Sequence, residues 1–380
     1  MAHSKLFSPS ASSRWLNCTK SAKIVAELPN SSSPDADLGS AAHLLAETAL
    51  HSQSHCESYI GTTFDEHPDI EVTREMADYV QVYCDYVNSI EGELSIEVEV
   101  DFAQWVHCQD RTDDGFGTSD AVVYNESSKT LYVIDLKYGK GVQVFAENNE
   151  QARMYALGCV DLYDMLGKEV DKIVIVIVQP RLQHIDEWTI TKSDLYRFGA
   201  LVSEKAEMIL NDEVEFNAGE KQCKFCTYKA QCPALKALTD SVVMDDFDNL
   251  DADKLTDHEL SHILNNKKLI ISWLDAVEKY VTDKLERGEK FEGYKLVHGR
   301  SMRKWSDEDE ASALLEMILG EDAFKRSLLT VPQAEKVLGK SRLNLIEDIV
   351  FKTDGKPTLV PESDKREAIN VSPDDFDEVK

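Results

Sequence analysis

The sequence predicts an α/β protein built on a mixed sheet, and three observations carry that prediction. Segments with helical spacing alternate with segments of period two in the order α, β-β-β, α, β. The run Ile173-Val-Ile-Val-Ile-Val178 is apolar at every position, as befits a strand covered on both faces. Leu131-Tyr-Val-Ile-Asp135-Leu-Lys137 reads as a buried strand that ends in an acid and an ammonium two positions apart, hence on one face.

Taken in order, Ser8-Pro-Ser-Ala-Ser12-Ser13 supplies capping residues for a short helix that presents Cys18. Residues 29–37 read as a loop and 38–52 as a helix, with Gly39, His43 and Glu47 at four-residue spacing on one face. A second helix over about 70–90 is marked by Met76, Tyr79, Val80, Val82, Tyr83 and Val87. Leu94-Ser-Ile96-Glu97-Val98-Glu99-Val100 then alternates, as does the segment around Ala121-Val-Val-Tyr124. With 131–134 after the turn at 125–130, three consecutive strands predict an antiparallel meander. A helix over about 147–167 carries Gln151 and Tyr155 one turn apart. Strand 173–178, an edge strand at 188–190 and a helix over about 192–212, capped by Ser193, close this part. These segments and the cysteines at 223–232 make one domain, 1–245, followed by an acidic linker near 241–251. Residues 250–352 read as a smaller helical domain, with helices over 254–286, 314–319 and 343–350. Residues 353–380 form an acidic tail, rich in Pro and charge, expected to be poorly ordered.

At 380 residues two domains are the natural expectation, and 42% hydrophobic with 29% charged residues describes a globular chain. No apolar run approaches the ~20 residues of a membrane span, and the first residues lack the apolar core of a secretory signal. The expected location is therefore the cytosol, where the eight cysteines would be reduced or metal-bound. A net charge of −29 argues against coating nucleic acid by bulk electrostatics, but leaves room for an enzyme with a local groove. No Gly-x-x-x-x-Gly-Lys-Ser/Thr is present, so any unwinding would have to come from a partner.

Asp120, Asp135 and Lys137 form the first constellation. A divalent cation that activates water and neutralises charge on a phosphodiester wants hard oxygen ligands, which suits Mg²⁺ or Mn²⁺. Two carboxylates on adjacent strands and the backbone carbonyl of Leu136 could supply them, with Lys137 orienting or deprotonating the attacking water. An ion pair at the end of a core strand is the plainer reading, and both stay open on these residues alone. Glu97 and Glu99 lie on the preceding strand; one of them could reach the site, and the alternation does not choose between them. The second constellation is Cys223-x-x-Cys226-x₅-Cys232-Pro. Three thiols so close in a reduced compartment point to a metal site, structural zinc included, with Cys18 the best fourth ligand. Cys56, Cys84, Cys108 and Cys159 have no such spacing and read as ordinary thiols. The third is Tyr294-Lys-Leu-Val-His298-Gly-Arg300-Ser-Met-Arg303-Lys304-Trp305, where Arg300, Arg303, Lys304 and Trp305 suggest phosphate contact and base stacking. A solvated hairpin explains that stretch equally well.

The ordered series Gly39-x-x-x-His43-x-x-x-Glu47, Gly117-Thr-Ser-Asp120, Asp135-Leu-Lys137 and Gln151-x-x-x-Tyr155 resembles the RecB-like branch of the PD-(D/E)XK nuclease superfamily. The resemblance implies a restriction-endonuclease-like core in which His43, Asp120 and Asp135 bind metal and Lys137 is catalytic. Gln151 and Tyr155 would support the site and the nucleic acid. One cysteine before such a core and three after it is similar to iron–sulfur nucleases of the CRISPR-adaptation and AddB types, which implies a [4Fe–4S] cluster on Cys18, Cys223, Cys226 and Cys232 in preference to zinc. The third constellation, with Lys356-Pro-Thr-Leu-Val-Pro-Glu-Ser-Asp364-Lys-Arg366, resembles a phage- and prophage-encoded family of RecB-like proteins over nearly the whole chain. The resulting expectation is a Mg²⁺- or Mn²⁺-dependent deoxyribonuclease, an exonuclease acting in phage DNA replication, recombination or repair in the bacterial host cytoplasm. Its partners would be single-stranded or end-containing DNA and a phage single-strand-binding or recombination protein. The alternative is a non-catalytic DNA-end-binding or recombination-accessory module on the same fold.

Overall fold

A computed structural model of the chain describes residues 4–28, 33–108, 114–247, 256–297, 308–319 and 331. The chain divides into two compact units, Met1–Lys284 and Leu285–Lys380. The first opens with α1 (Ser12–Trp15) and α2 (Lys20–Ala26), followed by α3 (Pro34–Ser52) and α4 (Arg74–Ser89). Strands β1 (Glu93–Asp101), β2 (Phe116–Asn125) and β3 (Thr130–Leu136) come next, then α5 (Glu150–Met165), β4 (Lys172–Gln179), β5 (His184–Thr191) and α6 (Lys192–Leu210). Helices α7 (Glu220–Cys223), α8 (Pro233–Phe247) and α9 (Asp257–Glu286) follow. In the second unit α10 (Glu308–Leu319) is the helix described; the helix expected over 343–350 and the tail lie outside the described residues.

The expected α/β class with a mixed sheet is what forms. The five strands lie in sequence order, with β1–β2, β2–β3 and β4–β5 antiparallel and β3–β4 parallel. The parallel step is the one that needs a long connection, and α5 lies in it. Strand β4 shows why every position had to be apolar. Ile173, Ile175 and Ile177 face a core with Leu157 of α5 and Phe198 of α6, while Val174, Val176 and Val178 face a second core with Leu45 of α3 and Val80 of α4. Helices therefore cover both faces of the sheet.

Several boundaries differ from the sequence reading for identifiable reasons. Helix α3 starts at Pro34, inside the stretch read as loop, because the Ser33 hydroxyl caps it by accepting from Ala36 N at 3.2 Å and Pro34 takes the first helical position. Helix α6 is capped by Thr191 in a reciprocal capping box with Asp194, not by Ser193. Strand β5 reaches from His184 to Thr191, far beyond 188–190, since an edge strand with one wet face has little apolar signal. Helix α8 runs to Phe247, into the stretch read as linker. Cys18 is in the turn between α1 and α2 rather than on a helix.

The N-terminal strap is pinned by one buried side chain. The Asp114 carboxylate accepts from the Ser4 hydroxyl, from Leu6 N at 3.0 Å and from Phe7 N at 3.2 Å. Phe7 then packs edge-on against Trp15, with ring centres 5.4 Å apart, and Trp15 Nε1 donates to Ser8 O.

Candidate active site

Alternation along β2 and β3 sends Asp120 to the same side as Val122 and Asp135 to the same side as Val133, toward α5. The register makes the placement tighter. Pairing of Ile96 with Ala121 and of Val98 with Ser119 sets Glu97 opposite Asp120. Pairing of Ala121 with Ile134 continues the row to Asp135. Three carboxylates thus lie in one line across three strands, where like charges repel. Glu97 also departs from strand geometry, with φ at 48°, a left-handed conformation unfavourable for a side chain with a Cβ. Glu97 is the acid that joins the site, whereas Glu99 is exposed.

Helix α3 brings His43 over this row, with Nδ1 3.2 Å from Asp120 Oδ1. The other Asp120 oxygen accepts from Leu136 N at 2.7 Å, so the amide of Leu136 has an assigned contact. His43, Glu97 and Asp120 place one ligand atom each within 4.8 Å of one another. Strand pairing continues one residue past β3, Lys137 N donating to Val178 O at 2.9 Å, and this fixes the root of Lys137. Its ammonium stands 2.8 Å from Asp135 Oδ2 and donates to Gln151 Oε1 at 2.9 Å. Gln151 Nε2 in turn donates to Tyr155 OH at 3.1 Å. Asn149 caps α5 by accepting from Ala152 N, which sets the first turn that carries Gln151. Gly117 admits this packing: a Cβ there would stand 2.9 Å from Tyr155 Cε1 and 3.0 Å from Pro9 Cγ.

These side chains line a cavity of about 540 Å³ that also receives Glu47, Glu66, His67 and the strap residues Ser8, Pro9 and Ser10. Its carboxylates outnumber its cations, and the protonation of the groups shows the strain. Burial, then Asp120 and Glu47, push Glu97 up to about 7. Burial and the neighbouring Asp120 likewise raise Asp135, against the pull of Lys137. Burial works against the charge on Asp120, but His43, the Leu136 amide and Lys137 together hold it below the usual range. Burial would lower His43; the Asp120 carboxylate overrides this and, with Asp135, takes it up to about 9. Chemically the cavity offers oxygen and imidazole ligands beside an ammonium held by Asp135 and Gln151.

The cysteines form a second assembly. Asn217 N donates to Cys18 Sγ at 3.4 Å, although 199 positions separate the two residues, and Gly219 N donates to Cys223 Sγ at 3.4 Å. Lys20 N to Glu215 O, Glu215 N to Thr19 Oγ1 and Asn217 Nδ2 to Asn17 O complete the seam. Burial first, then Cys226, Cys232 and Cys18 act against the relief of the Gly219 amide to push Cys223 up to about 11. The four thiols therefore feel one another. No three of their sulphurs lie within 4.8 Å of each other among the described residues. Two cations face them: Arg14 near Cys226 and Cys18, and Lys229, whose ammonium donates to Ser272 Oγ of α9 at 2.8 Å. The other cysteines are not disulfide-bonded; Cys56 and Cys84 are buried with their sulphurs 3.9 Å apart, and Cys159 is buried in the core.

Arg300, Arg303, Lys304 and Trp305 lie outside the described residues. The fold and site define an α/β protein whose five-stranded mixed sheet is flanked by helices and carries an acid-lined cavity with one framed lysine. The chain matches the family described as "Protein of unknown function (DUF2800)" over residues 3–367, and it belongs to that family. Among the described residues, no helix is long and apolar enough to cross a membrane.

Proposed function

We propose that this protein is a Mg²⁺- or Mn²⁺-dependent deoxyribonuclease of the RecB-like PD-(D/E)XK kind, acting as an exonuclease in phage DNA metabolism. The observation that carries the reading is the row Glu97, Asp120 and Asp135 with His43 above it and Lys137 beside it. Three buried or half-buried acids across neighbouring strands are unfavourable without a cation among them. The donor set fits a hard divalent ion: His43, Glu97, Asp120 and Asp135 would hold it, with the Leu136 carbonyl as a further candidate. When bound, such an ion polarises a phosphoryl oxygen and lowers the pKa of water. The chain's own residues do the rest. Lys137, oriented by Asp135 and Gln151, presents a proton donor and positive charge to the attacked phosphate, and Tyr155 holds Gln151 in register. Because the cavity itself is acidic, phosphate would enter only with the ion in place.

The cysteine assembly supports the second part of the reading, a [4Fe–4S] cluster on Cys18, Cys223, Cys226 and Cys232. The two amide-to-sulphur contacts favour thiolates, which either zinc or an iron–sulfur core would take, and the order of one cysteine before the core and three after it favours the cluster. End-labelled single- and double-stranded DNA, incubated with Mn²⁺, Mg²⁺ or EDTA, tests the activity. The wild type should degrade DNA only with the ion, and Lys137→Ala should keep the fold while losing about 100-fold or more of the rate. A fully active Lys137→Ala protein would sink the assignment; DNA binding with no cleavage by the wild type would favour the accessory module.

A further inference from the structure

The loop that leaves the site at Lys137 and returns to it at Gln151 is held unusually firmly for a surface loop. Its fastener is Gln179, the last residue of β4, which is 1% exposed. The Gln179 amide donates to Gly139 O at 2.7 Å and to Val142 O at 2.8 Å, and its oxygen accepts from Val144 N at 3.0 Å. His184 of β5 adds contacts with Val144 O and with Gln143 Nε2, each at 2.9 Å, and Asp186 accepts from Ala146 N at 2.7 Å. A backbone fastened at so many points nevertheless holds two apolar side chains in water. Val142 is 46% exposed, and Phe145 is 55% exposed with its ring edge-on to His184 at 5.3 Å. Between Lys137 and Gln151 the loop carries Lys137 and Lys140 ahead of Phe145, and the acids Glu147 and Glu150 after it, Glu150 being paired with Lys221.

We propose that this loop is a stacking platform for single-stranded DNA, with bases lying on Phe145 and backbone phosphates passing Lys140 toward Lys137. The inference rests on the nuclease reading and names the form of DNA that the site takes. An aromatic ring fixed in place before binding loses little freedom when a base covers it, and every base has a face to offer. A paired duplex offers such faces only at its ends, so the platform selects single strands and frayed termini. Lys140 supplies the phosphate contact that the acidic cavity cannot, and both ends of the loop already touch the residues that frame the proposed chemistry.

The test is fluorescence anisotropy of a labelled oligothymidine and of a blunt duplex, with Ca²⁺ replacing Mn²⁺ to suppress cleavage. Phe145→Ala should weaken single-strand binding by roughly 5- to 150-fold, the range of one lost base stack, and duplex binding by no more than about two-fold. Phe145→Trp should restore the single-strand affinity, since a larger ring still stacks. Lys140→Ala should lower affinity more at low salt than at high salt, as a lost phosphate contact does. A Phe145→Ala protein that binds the single strand like wild type, or that loses single strand and duplex equally, overturns the platform. The two readings fail separately: if wild type degrades DNA and Phe145→Ala changes nothing, the platform alone falls. If wild type neither binds nor degrades DNA, both fall.

Discussion

Replacing Glu97 by Gln probes the acid row from both sides, because the gain expected without an ion is offset when a divalent ion is added. Burial and the neighbouring Asp120 and Glu47 raise the Glu97 carboxyl from 4.5 to about 7. Between those values the folded protein holds a proton that the unfolded chain releases, so this group's contribution to stability falls as pH rises from 4.5 through about 7. The full shift corresponds to ~3 kcal/mol at high pH. Glu97 is partly open to water, and screening reduces that to roughly 1–2 kcal/mol. In EDTA at pH 8, Glu97→Gln should therefore melt about 2–4 °C above wild type, and the gap should close as pH falls toward 4.5. With Mn²⁺ at a hundred times its dissociation constant, the wild type gains ~2.7 kcal/mol. The variant lacks one ligand; a tenfold weaker site would give up about half of that gain at the same ion concentration. Scanning calorimetry in EDTA and in MnCl₂ reads both effects. A Glu97→Gln protein that is less stable than wild type in EDTA, or that shows the full Mn²⁺ shift, refutes the argument.

Three further substitutions probe the surroundings. Gly117→Ala forces a Cβ against the rings of Tyr155 and Pro9, so it should lose about 1–3 kcal/mol in a denaturant titration and weaken activity through the displaced Gln151. The His43–Asp120 pair stabilises the metal-free fold in full below pH 6.5, and this is lost as pH rises through about 9. His43→Gln should flatten the melting temperature across that window, and an unchanged profile would remove the ion pair from the account. Cys18→Ser should lose iron, sulfide and the brown absorbance near ~400 nm as completely as Cys226→Ser. Retention of iron by Cys18→Ser alone would place the fourth ligand elsewhere.

The sequence was most legible where burial is two-sided or periodic. Residues 173–178 announced a central strand because both faces are covered, and α4 showed its buried face through Met76, Val80, Tyr83 and Val87. Strand β5 was nearly hidden, since His184, Asp186 and Glu187 decorate its polar positions and only pairing with β4 reveals its length. Asp120, Asp135 and Lys137 stood out by residue type and strand position, His43, Gln151 and Tyr155 only through the resemblance, and the structure brings all six to one cavity. Glu97 could not be separated from Glu99, because alternation puts both on one face, whereas in the structure the left-handed Glu97 breaks the alternation and Ile96 and Val98 pack on opposite cores. Nothing in the sequence marked Gln179 as a loop fastener. Its partners are backbone atoms, which carry no residue identity.

The strap from Ser4 to Cys18 belongs to two sites at once. Its first residues hang from Asp114, its middle forms one wall of the acid cavity, and its end reaches the cysteine assembly. Damage at the sulphurs would therefore travel mechanically: losing the proposed cluster would slacken the wall that Pro9 presses against Gly117 and Tyr155. On the proposed reading, the colour of a preparation would then report on the proposed nuclease activity, and bleaching by oxidants would silence that activity with Lys137 and every acid intact.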